Sequence, residues 1–82
     1  MIHIFVLEEF TMEQKFIEEL TETIDTEETL AMDTVLEDLE DWDSLSFVSF
    51  ISMANTTYNK KISAEQVREA VTVADLYALV KG

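Results

Sequence analysis

The chain has 82 residues, enough for one compact domain whose core leaves little stability beyond the entropy lost on folding. A hydrophobic content of 48% excludes a disordered polyanion despite the formal net charge of −13, and the lack of cysteine excludes disulfides and thiolate metal sites. Fifteen of the eighteen acids fall in residues 1–43, where Lys15 is the only Lys or Arg, so this half repels nucleic acid and attracts partners with basic patches.

The chain opens on apolar residues from Met1 to Leu7, but without a basic leader and running straight into Glu8 and Glu9. This is neither a signal peptide nor a membrane span. Residues 1–10 stand as an N-terminal extension to a domain over 11–82, and the protein is expected to be cytoplasmic, soluble and monomeric.

Thr11 and Gln14 have capping-box spacing, and Met12, Phe16, Ile17, Leu20 and Ile24 follow at helical intervals, predicting a first helix over 11–24. The pattern then dissolves into acids and threonines up to Asp43, with Leu30, Met32, Val35, Leu36 and Leu39 placed to pin a long loop to the domain. Connections of this length are uncommon unless functional.

A second helix starts at Asp43 or Ser44, either of which can cap it, and runs to Tyr58. Apolar side chains surround most of it, which makes it central; Ser46, Ser49, Ser52 and Asn55 form its polar stripe, a solvent or partner face. Ser63 and Glu65 open a short helical turn through Val67, and Val73, Leu76, Tyr77 and Val80 make a final helix capped by Thr72. With no proline and a single glycine at Gly82, nothing reads as a linker or a phosphate-binding loop. The expected fold is all-α: an antiparallel four-helix bundle with a long loop between helices 1 and 2 and a short third helix.

No catalytic set can be assembled. A serine hydroxyl needs a neighbouring base to become a nucleophile, and the one histidine, His3, lies far upstream. A calcium loop is excluded because residues 33–45 supply no glycine, and no other metal site is expected. Ser44 is therefore either a plain helix cap or a residue modified by a visiting enzyme; the positive end of a helix favours an attached phosphodiester.

The segment Leu39-Glu40-Asp41-Trp42-Asp43-Ser44-Leu45, between an acidic loop and a hydrophobic helix, resembles acyl carrier proteins, and Trp42-Asp43-Ser44-Leu45 resembles the stand-alone type. The resemblance covers residues 11–81. It implies a non-enzyme whose Ser44 receives a 4′-phosphopantetheine arm from coenzyme A through a phosphopantetheinyl transferase and magnesium. Acyl groups then travel as thioesters on the arm in fatty-acid, polyketide or related biosynthesis.

The implied partners are that transferase and acyl-loading and acyl-processing enzymes with basic docking surfaces. The family's second helix usually displays acids, whereas here it is serine-faced, so docking is expected at Asp38, Asp41, Ser46, Phe47 and Ser49. Val48, Ile51, Met53, Ala54, Ile62 and Tyr77 are candidates for an acyl pocket, while Trp42 is expected to plug the loop against the helices. Two alternatives stay open: a peptidyl or alanyl carrier loaded with an aminoacyl group, and an unmodified acidic helical module that binds proteins.

Overall fold

The computed structural model describes residues 12–81, so Thr11 and the N-terminal extension over 1–10, His3 included, lie outside the described residues. Four helices follow in order: α1 (Met12–Thr23), α2 (Ser44–Tyr58), α3 (Ala64–Glu69) and α4 (Val73–Lys81), with one 3-10 turn at Leu36–Asp38 in the long loop. The described residues contain no strand, and the all-α four-helix expectation holds. Packing of α2 against α1, α3 and α4 makes it the central helix.

The helix ends are written in polar side chains and left-handed residues, since no glycine is placed to end them. Asp25 (φ 54°) closes α1 while the Thr26 amide reaches back to the Thr21 carbonyl at 3.2 Å; Asn59 (φ 55°) closes α2 while the Lys60 amide reaches Ala54 at 3.0 Å. Asp and Asn tolerate this conformation better than other residues with a Cβ. Ser63 and Gln66 form a reciprocal capping box at the start of α3. At α4 the Thr72 amide donates to Asp75 Oδ2 at 3.1 Å and the Asp75 amide to Thr72 Oγ1 at 3.3 Å, so Thr72 caps this helix as its position predicts.

The long loop is pinned as the sequence predicts. Leu30, Leu36 and Leu39 are buried and Met32 packs on the core. Val35 bridges Thr72, and the Val73 and Ala74 amides donate to the Thr34 and Met32 carbonyls at 3.0 and 2.8 Å. Those amides open α4 and have no partner within the helix, so the loop satisfies them. The loop and α4 thereby fix one another.

The core centres on Phe16 of α1, fully buried among the rings of Phe50 and Tyr58 of α2 and Tyr77 of α4. Tyr58 Oη donates to Glu19 Oε1 at 2.7 Å, joining α2 to α1. Burial, then this bond to an anion, push the Tyr58 hydroxyl well above its ordinary pKa. A group that binds its proton more tightly when folded contributes stability in full below its unfolded value of about 10, and loses it as pH rises further. Tyr58→Phe is expected to cost about 1 kcal/mol at pH 7, a fall of about 4–8 °C in Tm. The variant should also lose part of the wild-type decline above about pH 10, measured by thermal melting across pH.

Candidate functional site: the start of α2

The loop delivers its last residues to α2 by anchoring Trp42. This ring is half-buried, with its centroid 6.4 Å from that of Phe47 and 6.5 Å from that of Phe50, as the plug reading requires. The Trp42 amide donates to the Leu39 carbonyl at 3.2 Å, and Asp43 then arrives in extended conformation (φ −130°, ψ −169°) as the cap.

Between the two candidate caps, the structure selects Asp43. Its Oδ1 accepts the Leu45 amide at 3.1 Å and the Ser46 amide at 3.0 Å. The Ser46 amide, above all, holds the Asp43 carboxyl below its ordinary pKa, against a smaller desolvation effect in the other direction. Ser44 is left as the first helical residue, exposed to solvent, and its hydroxyl makes no hydrogen bond among the described residues.

Ser46 departs from expectation. It is only 6% exposed, and its hydroxyl donates to the Asp41 carbonyl and to Asp43 Oδ1, the latter at 3.2 Å. The loop folds back over this turn, so Ser46 fastens loop to helix and does not join an outer docking face. The remaining stripe is graded: Ser49 is half-buried, while Ser52, Asn55 and Thr56 are exposed.

Beside Ser44 lies an open groove of about 300 Å³ formed by Trp42, Asp43, Ser44, Phe47, Val48 and Arg68. Its walls mix the apolar Trp42, Phe47 and Val48 with Ser44, one carboxylate already engaged in capping and one cation. Ser44 thus presents an exposed hydroxyl at a helix start, without a hydrogen bond among the described residues and next to this groove.

A family model described as the phosphopantetheine attachment site matches residues 14–80. The chain belongs to the phosphopantetheine-attachment family. The match runs from α1 into α4 and takes in all four helices. No curated protein and no solved structure matches the chain.

Domains of this family are where 4′-phosphopantetheine is covalently attached, and they generally act as carriers, not catalysts. They work with a phosphopantetheinyl transferase and with biosynthetic enzymes that use the arm. The start of α2 in this carrier fits the group: an unengaged hydroxyl, a groove beside it, and a helix end that favours negative charge. Among the described residues, no helix is long and apolar enough to cross a membrane.

The six pocket candidates of this carrier are not gathered around one space. Val48 lines the groove at Ser44, Ile51 and Ile62 line a second open groove of about 400 Å³ between α2 and α3, and Met53 and Ala54 are core residues of α2. Tyr77 is packed on Phe16, its ring centroid 5.2 Å away. Of the docking candidates, Asp38 is exposed and Asp41 and Phe47 are half-buried; the two acids lie in the loop before the cap and Phe47 in the first turn of α2 after it. Arg68 is the groove residue that sequence reading passed over; its one distinguishing signal is that it is the only arginine in the chain.

Proposed function

We propose that this chain is an acyl carrier protein whose Ser44 hydroxyl bears the 4′-phosphopantetheine arm, in fatty-acid, polyketide or related biosynthesis in the cytoplasm. The observation that supports this most directly is the freedom of Ser44: Asp43 takes the capping role, so the serine hydroxyl is exposed and unbonded at a helix start. Family membership supplies the chemistry such a serine undergoes.

In the attachment step, Ser44 Oγ forms a bond to the phosphorus of coenzyme A that carries the pantetheine. The pyrophosphate linkage breaks and 3′,5′-adenosine bisphosphate leaves. The hydroxyl proton passes to a base on the transferase, because the described residues place no histidine or lysine in the groove at Ser44. Once attached, the arm supplies a thiol that carries the acyl unit as a thioester. The carrier's own residues position the serine, present its helix and offer the surface that partners grip.

For that surface we assign the acids Asp38 and Asp41 together with Phe47 and Ser49, flanked by Leu45 and Val48, which are 76% and 60% exposed. α2 carries no charged side chain, so the attraction to basic partners comes from the loop before it. Ile51 and Ile62, with Val48, are the residues assigned to contact cargo; they are the pocket candidates that reach open grooves.

The test is incubation with coenzyme A, magnesium and a broad-specificity transferase, followed by intact-mass and fragment-mass spectrometry. One added phosphopantetheine located on Ser44 is the expected result. No added mass overturns the carrier reading in favour of an unmodified interaction module.

A further inference from the structure

Arg68 is the single arginine of a chain with eighteen acids, yet it pairs with no carboxylate among the described residues. Its guanidinium carbon instead lies 5.8 Å from the centre of the Phe47 ring, and its side chain lines the same groove as Ser44. Stacking on an aromatic face orients the planar cation while leaving its N–H donors available.

We propose that Arg68 is a positioning residue for the arm: its guanidinium binds the phosphodiester joined to Ser44 and holds the arm's first segment along the Trp42–Phe47–Val48 wall. This rests on the assignment of Ser44 above. A phosphodiester at Ser44 carries one negative charge into the most acidic stretch of the chain, next to Asp43 and close in sequence to Asp41 and Glu40. The groove offers one cation against that repulsion. Arginine presents two parallel donors to two non-bridging phosphate oxygens, a geometry that lysine does not reproduce.

A purely structural role for Arg68 makes a different prediction. Arg68 stands in the last turn of α3, where a cation complements the helix end. That role, and the stacking on Phe47, operate equally with and without the arm. Only a phosphate contact makes the arginine's contribution depend on loading.

The test compares wild type with Arg68→Gln and Arg68→Lys, each before and after complete loading confirmed by mass. In the wild type, loading is expected to shift the Arg68 Nε–H resonance. The ³¹P resonance should be displaced from that of a loaded serine peptide used as reference. Arg68→Gln should return the phosphorus to the peptide value, and Arg68→Lys should keep only part of the displacement. The loaded-minus-unloaded difference in Tm should likewise fall in Arg68→Gln.

Coincidence of the wild-type ³¹P resonance with the peptide, and an Arg68 resonance indifferent to loading, overturn the proposal and leave Arg68 a structural residue of α3. Equal losses of Tm in both states of Arg68→Gln do the same. Should Arg68→Gln fail to fold, the two wild-type resonances still decide the matter. A wild type that takes up no arm is a separate result: it overturns the Ser44 assignment and this inference with it.

Discussion

Ser44→Ala is expected to abolish loading completely while leaving the melting temperature close to wild type. The side chain is exposed and its hydroxyl makes no hydrogen bond among the described residues, so its removal orphans nothing. Alanine is also a good residue within a helix. Exposed changes of this kind fall within about 0.5 kcal/mol, or a few degrees in Tm. Loading of Ser44→Ala would move the attachment point to another hydroxyl, and unfolding would make Ser44 structural.

Asp43→Ala is the informative contrast, because it removes the cap and keeps the nucleophile. The amides of Leu45 and Ser46 and the buried Ser46 hydroxyl lose a shared acceptor. Loss of a capping residue costs about 1 kcal/mol, which for a domain of this size lowers Tm by about 4–8 °C. Loading should persist at a reduced rate, since the serine remains but its helix start is looser.

Asp43→Asn separates charge from hydrogen bonding: asparagine caps about as well as aspartate, so its stability at neutral pH should stay near wild type. The sign of the pH effect follows from the lowered pKa of Asp43. A carboxyl depressed on folding contributes stability in full above its unfolded value of about 3.9, and that stability drains away as pH falls through the lower folded value. Asp75 titrates in the same direction, held down by the amides of Val71 and then Thr72. Acid melting should therefore show a shallower loss in Asp43→Asn than in wild type, with Asp75 still contributing to the loss that remains.

Much of this arrangement is readable from the chain alone, because its information is local. The periodicity from Met12 to Ile24 and the cap-type residues at Ser63 and Thr72 depend on neighbours three or four positions away, and the helices fall where they predict. Ser46 illustrates what local reading misses. Its three-residue spacing from Ser49 and Ser52 makes it look like one more solvent-facing serine, and only the return of the loop, which brings the Asp41 carbonyl over it, buries it. Arg68 is hidden for the same reason: α3 ends two residues beyond the predicted turn, and the closeness of its last turn to Phe47 and Ser44 is set by how α3 packs on α2. The choice between Asp43 and Ser44 as cap was open in sequence because both residue types serve; backbone conformation at Asp43 decides it.

The larger stability effect is expected far from the arm, at Phe16→Ala. This side chain has no exposed surface, and its ring meets Phe50 edge-on at 6.2 Å and 87°, Tyr58 at 6.1 Å and Tyr77 at 5.2 Å. Truncating such a residue removes its burial and leaves a void that three rings from two other helices cannot all fill, at a cost of about 3–5 kcal/mol. Domains have only about 5–15 kcal/mol in total, and small ones lie towards the lower end. A fall in Tm of at least about 12 °C follows, with partial unfolding at 37 °C read by circular dichroism. Phe47→Ala should cost less, because Phe47 is only half-buried. Phe16 sits on α1, which contributes no residue to the groove at Ser44, yet it packs against α2 through Phe50. Loading of Phe16→Ala should accordingly decline in step with the folded fraction as temperature rises, whereas loading of Ser44→Ala is absent at every temperature. A Phe16→Ala protein that melts within a few degrees of wild type would show that the ring cluster is not the centre of the fold.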